Sequence, residues 1–112
     1  MRSDSAPPAS GGTDEIGFNV DVSVVDRRLQ LSGELDIAAA PLLLTAVGSL
    51  LQHADGDLII DLRGLTFIDS YGINAIESIK APVLQRGHHV VLMNASPKIK
   101  RTFMLGGFAG AL

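Results

Sequence analysis

The feature that most constrains this chain is Leu58-Ile59-Ile60-Asp61-Leu62, an apolar run set between the turn Asp55-Gly56-Asp57 and the short loop expected at Arg63-Gly64-Leu65-Thr66. A strand with one wet face alternates apolar and polar residues. A nearly unbroken run belongs to a central strand covered on both faces. His89-Val90-Val91-Leu92-Met93 is predicted as a second buried strand. Nearer the start, Ile16, Phe18, Val20, Val22 and Val24 alternate with Gly17, Asn19, Asp21 and Ser23. That period of two marks a strand with one buried face. Val25-Asp26-Arg27 turns the chain, Arg28-Leu29-Gln30-Leu31-Ser32 alternates again, and the two segments read as a β-hairpin that ends at Gly33-Glu34-Leu35-Asp36.

Helices are predicted between these strands. Asp36 has the chemistry of an N-cap for a helix over residues 37–52, with Pro41 near its first turn. Ile37, Ala40, Leu44, Val47 and Leu51 form its expected apolar stripe, while Leu42, Leu43 and Leu50 fall partly outside. No Asp, Glu, Lys or Arg occurs from Ile37 to Ala54, which is unusual for a surface helix. Two readings stand: a deeply buried helix, or a contact surface for a partner or a second copy. A second helix is predicted over residues 70–86, with Ile73, Ile76, Ile79 and Val83 inward and Pro82 either kinking it or starting its last turn. Ser96-Pro97 is a strong start for a third, with Ile99, Phe103 and Met104 inward and Gly106-Gly107 as its stop.

The order is β-β-α-β-α-β-α, an α/β fold with a mixed sheet packed by helices. The 112 residues suffice for one small domain, expected over residues 15–112 behind a Ser-, Pro- and Gly-rich disordered tail over residues 1–14. A hydrophobic content of 46% is too high for a disordered chain. The net charge of -3 argues against nucleic acid as the main partner, and the absence of cysteine removes disulfides and thiolate metal sites. The charge is uneven: residues 1–36 carry three basic and seven acidic residues, and residues 37–112 six and five. The first residues lack the apolar core of a signal peptide, and no apolar run approaches the roughly 18 residues of a membrane span. The expectation is a cytoplasmic protein with no cofactor, no metal and no direct membrane insertion.

The chemistry concentrates at Phe67-Ile68-Asp69-Ser70-Tyr71-Gly72, where a buried strand gives way to a helix. Asp69 and Ser70 are both good caps, and only one residue can hold that position. The other is a spare polar group at the mouth of the turn. Position 73 is Ile, so no capping box forms with Ser70, and Gly72 and Asn74 are weak helix formers. The absent side chain at Gly72 lets another backbone or surface come close. Ser70 is thus placed for phosphorylation, since a helix N-terminus tolerates a dianion while its local surface reverses character. From the residues alone, simple capping by Asp69 or Ser70 stands beside that reading.

Three blocks in order, Leu31-Ser32-Gly33-Glu34-Leu35-Asp36, the run Asp57 to Leu62 followed by Phe67 to Ile73, and Asn94 to Phe108, resemble the STAS domain of bacterial anti-sigma factor antagonists. The resemblance spans residues 16–112. It implies a STAS-type fold and a partner-switching role without enzymatic activity. In such a role the unphosphorylated protein binds an anti-sigma factor, typically a serine kinase, and a sigma factor is released. The kinase then phosphorylates the position matched by Ser70 and binding ends. The partner-binding residues so implied are Asp36, Asp69, Ser70, Tyr71, Gly72 and Asn74, and a homodimer is the further partner expected. Tyr71 departs from the small residue usual there, Asn74 and Glu77 make the second helix more polar, and the family's last strand and helix are expected to be short or missing after Leu112.

Two other classes fit the residues less well. Ile68 to Gly72 supplies half of a nucleophile elbow, with His88 and His89 following in chain order, but the chain is too short for that hydrolase scaffold. Lys98, Lys100 and Arg101 form a basic patch on the third helix, either a solvated face or a surface for an acidic partner. Within the STAS resemblance, the alternative role is a regulatory subunit of a transporter or signalling scaffold.

Overall fold

A computed structural model describes residues 17–53 and 55–105. The expected tail, the residues Gly106-Gly107 and the segment beyond them lie outside the described residues. The observed order is β1 (Phe18–Ser23), β2 (Arg28–Leu35), α1 (Ala40–His53), β3 (Leu58–Ile68), α2 (Ser70–Gln85), β4 (Val90–Met93) and α3 (Pro97–Leu105). The strands form one sheet in the order β1-β2-β3-β4. β1 and β2 run antiparallel, whereas β2/β3 and β3/β4 run parallel. This is the mixed sheet expected from a hairpin followed by alternating strands and helices.

The hairpin closes through Ser23, whose hydroxyl donates to the Asp26 carboxylate at 3.1 Å and accepts from the Asp26 N–H at 3.3 Å. β3 supplies the centre of the core, with Leu58, Ile60 and Leu62 each 1% exposed or less. Each such side chain contributes about 1.5–3 kcal/mol of burial. The loop expected at 63–66 is instead strand, and β3 runs on to Ile68. It does so by bulging against β2: Gln30 faces Asp61 but Ser32 faces Gly64, and Gly33 faces Leu65 but Glu34 faces Phe67. Each step places an extra β3 residue against β2. Gly64 fits the first bulge because a Cβ there would stand 2.8 Å from the Ser32 Cβ. A glycine beside an arginine thus marks a bulge here and not a strand end.

Helix α1 begins three residues later than predicted, after a turn over residues 37–39. Its buried residues are Leu43, Val47 and Leu50, with Ala39 just before, so the predicted stripe is rotated. Ile37 is 59% exposed and Leu44 is 42% exposed, while Leu43 is sealed. Helix α2 buries Ile73, Ile76, Ile79 and Val83 as read from the sequence, and Pro82 lies within its last turn. The Arg86 guanidinium donates to the Leu51 carbonyl at 2.6 Å and ties the far ends of α1 and α2 together. In α3, Ser96 caps by accepting from the Ile99 N–H at 3.2 Å, and Ile99 and Phe103 are buried. Met104 was expected inward and faces solvent, because Ile99 and Phe103 are four apart on one face and Met104 lies beyond it.

Candidate functional site

The parallel pairing of β2 and β3 brings Leu35 opposite Ile68, so both strands end at the same edge of the sheet. Each then hands the chain to an aspartate. Asp36 accepts from the Ala38 and Ala39 N–H groups at 3.1 and 3.0 Å, which starts the turn ahead of α1. Asp69 is the N-cap of α2, with extended backbone (φ -116°, ψ -173°), and its carboxylate accepts from the Gly72 N–H at 3.0 Å. The backbone crosses between the two elements as well, since the Asp69 N–H donates to the Leu35 carbonyl at 3.3 Å.

Asp69 therefore holds the cap, and Ser70 is the first residue of the helix. Ser70 is exposed, and among the described residues its hydroxyl has no hydrogen-bond partner. The Ile73 N–H bonds the Asp69 carbonyl, and Gly72 is taken by the cap. The first helical N–H groups, those of Ser70 and Tyr71, remain at the helix mouth where the dipole favours anions. Tyr71 is 54% exposed, and Asn74 is exposed one turn along.

Gly72 requires a correction. The close approach it permits is made by the chain itself: Gly72 is buried, and a Cβ there would lie 2.4 Å from the Leu35 carbonyl oxygen and 2.8 Å from Ile68 Cγ1. The glycine seats α2 on the end of β2, and the room it leaves is already filled. Of the six residues expected to meet a partner, Ser70, Tyr71 and Asn74 are exposed, Asp36 and Asp69 are half-buried caps, and Gly72 lies beneath them.

Sequence reasoning missed two neighbours of this site. Ile37 (59% exposed) follows Asp36 in the turn before α1, and Phe67 (41% exposed) precedes Ile68 on β3, so exposed apolar side chains lie in both segments that lead to the helix starts. Nothing in their spacing separates them from core residues. Away from this site, sequence reasoning also missed the role of Asp61 in the first half of β3, read as part of an apolar run and found 3% exposed. Its carboxylate accepts from the Arg63 N–H at 3.0 Å and the Asn94 amide at 3.1 Å, with the Arg28 and Arg63 guanidiniums at 3.7 and 3.9 Å. Burial by itself would raise this carboxyl, but the two hydrogen bonds and then the two guanidiniums outweigh it and hold the group below the usual carboxylate range. A lone acid inside a doubly covered strand was the available signal, because such a charge has to be paired.

The histidines do not join Ser70. His88 sits 3.4 Å from Asp55 and 3.8 Å from Asp57, and the His89 N–H donates to Asp57 at 2.9 Å. Those contacts stand before the first residue of β3, whereas Ser70 follows its last, a strand of 11 residues or about 35 Å at roughly 3.3 Å per residue. A serine–histidine relay is therefore not assembled. Among the described residues no group of three or more His, Asp or Glu side chains is arranged to hold a metal ion, and no helix is long and apolar enough to cross a membrane.

A four-stranded mixed sheet, whose two central parallel strands lead into an aspartate-held turn and an aspartate-capped helix beside a hydroxyl that has no hydrogen-bond partner among the described residues, defines an α/β domain with its distinctive chemistry at the carboxyl ends of those strands. Residues 19–111 match the STAS domain family, and the chain belongs to that family. It is similar to the anti-sigma-B factor antagonist of Bacillus subtilis (strain 168), with 29% identity over 94 residues, covering 82% of this chain and 85% of that protein. Among solved structures it resembles the anti-sigma factor antagonist SpoIIAA in its unphosphorylated form, with a TM-score of 0.68 and 24% identity over 82% of each chain. It also resembles part of the murine anion transporter Slc26a9, with a TM-score of 0.64 and 20% identity over 71% of this chain and 13% of that one.

Proposed function

We propose that this protein is an anti-sigma factor antagonist that binds an anti-sigma factor of the serine-kinase type, and that phosphorylation of Ser70 ends the binding. The observation that carries the reading is the division of labour at the start of α2: Asp69 closes the helix, and Ser70 is exposed with no partner for its hydroxyl among the described residues. The names of the similar proteins support it, one an anti-sigma-B factor antagonist and the other an antagonist whose unphosphorylated form is a distinct state.

The chemistry follows from position. The Ser70 oxygen forms a bond to the γ-phosphorus of a bound nucleoside triphosphate, the β–γ bridging bond breaks, and the serine proton passes to a base of the kinase. The product carries about -1.5 to -2 charges. The helix mouth accepts this dianion without unwinding. The partner does not, because the new phosphate shares the interface with the nucleotide's remaining phosphates and with Asp69. Docking is lost while the fold is kept. Tyr71, Asn74, Asp36 and the flanking Ile37 and Phe67 supply the contact surface around Ser70.

Calorimetric titration with the kinase-type anti-sigma factor of the same cell tests this. Ser70→Asp is expected to weaken binding by more than tenfold, about 1.4 kcal/mol or more, while the melting temperature moves by no more than a few degrees, as for an exposed substitution. Ser70→Ala binds like wild type and takes up no phosphate. Equal affinity of wild type and Ser70→Asp, or phosphate found only on another residue, would remove the proposal. Recovery of a transporter ATPase instead of a kinase from the native cell would move the assignment to the transporter class.

A further inference from the structure

The site at Ser70 leaves the charge distribution of the chain unused. After Glu77 there is no Asp or Glu as far as Leu112, while Lys80, Arg86, Lys98, Lys100 and Arg101 all fall in that segment. Three of these five cations sit on α3 and all three are exposed. Among the described residues none of the three has an ion-pair partner. Asp61, on the strand against which α3 packs, is buried and held by Asn94, Arg63 and Arg28. Among the described residues the basic face is therefore not neutralised from within.

The same face is apolar at its far end. Ile99 and Phe103 anchor α3 to the core, which turns Met104 (74% exposed) and Leu105 (83% exposed) outward in the last turn, next to Lys100 and Arg101. Cations and bare apolar side chains together on one outward helix face have the chemistry of a segment that rests on an anionic bilayer surface.

We infer that the outward face of α3 is a second docking surface, separate from Ser70, and that it rests on anionic phospholipid. Charge complementarity selects an anionic surface, and size selects lipid over protein. Nine residues of helix extend about 14 Å, and one convex helix face of that length falls well short of the roughly 800 Å² per partner that a stable protein interface buries. A lipid surface needs no matching concavity. Each Lys or Arg close to such a surface strengthens binding about fivefold, so three of them with two shallow apolar side chains give weak, reversible, salt-sensitive attachment.

The test is flotation of the full chain with vesicles of equal parts phosphatidylglycerol and phosphatidylcholine, against vesicles of phosphatidylcholine alone. The protein is expected to float with the mixed vesicles at low salt and to be released at high salt. The triple variant Lys98→Ser/Lys100→Ser/Arg101→Ser is expected to bind at least tenfold more weakly. Met104→Ser/Leu105→Ser weakens binding several-fold at every salt concentration, and unchanged circular dichroism shows that both variants fold. Failure to float, equal flotation with phosphatidylcholine alone, or undiminished binding by the triple variant would overturn the inference. So would binding to soluble polyglutamate that ignores Met104→Ser/Leu105→Ser, which assigns the face to an acidic protein. Salt-sensitive self-association without lipid, abolished in the triple variant, assigns it to a second copy.

Discussion

Gly72→Val is expected to lower the melting temperature by roughly 12–20 °C and to reduce folded yield, whatever partner is present. A Cβ at this position meets the Leu35 carbonyl oxygen at 2.4 Å, and that oxygen is backbone at the end of β2, so it cannot swing aside. The same carbonyl accepts the Asp69 N–H, so moving it also loosens the turn that starts α2. Overpacking of this kind costs about 3 kcal/mol or more. Gly48 provides the contrast. It is exposed in the interior of α1 with nothing within 4 Å of an added Cβ, so Gly48→Ala should stabilise by about 0.5–1 kcal/mol through helix propensity. Thermal melts of the two variants side by side check both signs. A Gly72→Val protein that melts like wild type would show that α2 has another way to sit.

Asp61→Ala is expected to cost about 1–3 kcal/mol, since it removes the acceptor of two part-buried hydrogen bonds, from the Arg63 N–H and the Asn94 amide. The two guanidiniums lose less, because the Arg28 side chain is 36% exposed and that of Arg63 68%. Asp61→Asn separates charge from shape. The Asp61 carboxyl is held below the usual carboxylate range in the folded protein, so its ionised form favours folding. That contribution is complete above the ordinary aspartate range and is lost as pH falls through the lowered value. The gap in urea midpoint between wild type and Asp61→Asn should be widest near neutral pH and close under acid. A gap that stays constant down the acid limb would mean that the charge is not what the network uses.

The elements were readable where residues with opposite demands alternate. Period two over β1 and β2 locates those strands, and the Ile73-Ile76-Ile79-Val83 stripe locates α2 and its buried face. The apolar face read for β1 holds only at its start, where Phe18 is buried, while Val22 and Val24 are 46% and 44% exposed. The register of α1 was not readable, because Leu42, Leu43, Leu44, Leu50 and Leu51 are chemically equivalent and no charge marks the wet side. Only packing against the neighbouring elements decides that Leu43 is sealed and Leu44 is open. The run of β3 through Gly64 was hidden for a related reason: a bulge uses the residues that usually end a strand. At the site, the competition between Asp69 and Ser70 was visible in the sequence, but its outcome was not, and the role of Gly72 depended on a carbonyl 37 positions earlier in the chain, at Leu35.

The exposed hydroxyl of Ser70 has a kinetic corollary. A side chain already outside the packed interior needs no local opening before an enzyme reaches it, so the speed of its modification is uncoupled from the free energy of unfolding. Strengthening the scaffold, as Gly48→Ala does, leaves that speed unchanged. On the proposed reading, the tempo of the response belongs to the abundance of the modifying enzymes and not to any breathing of the domain.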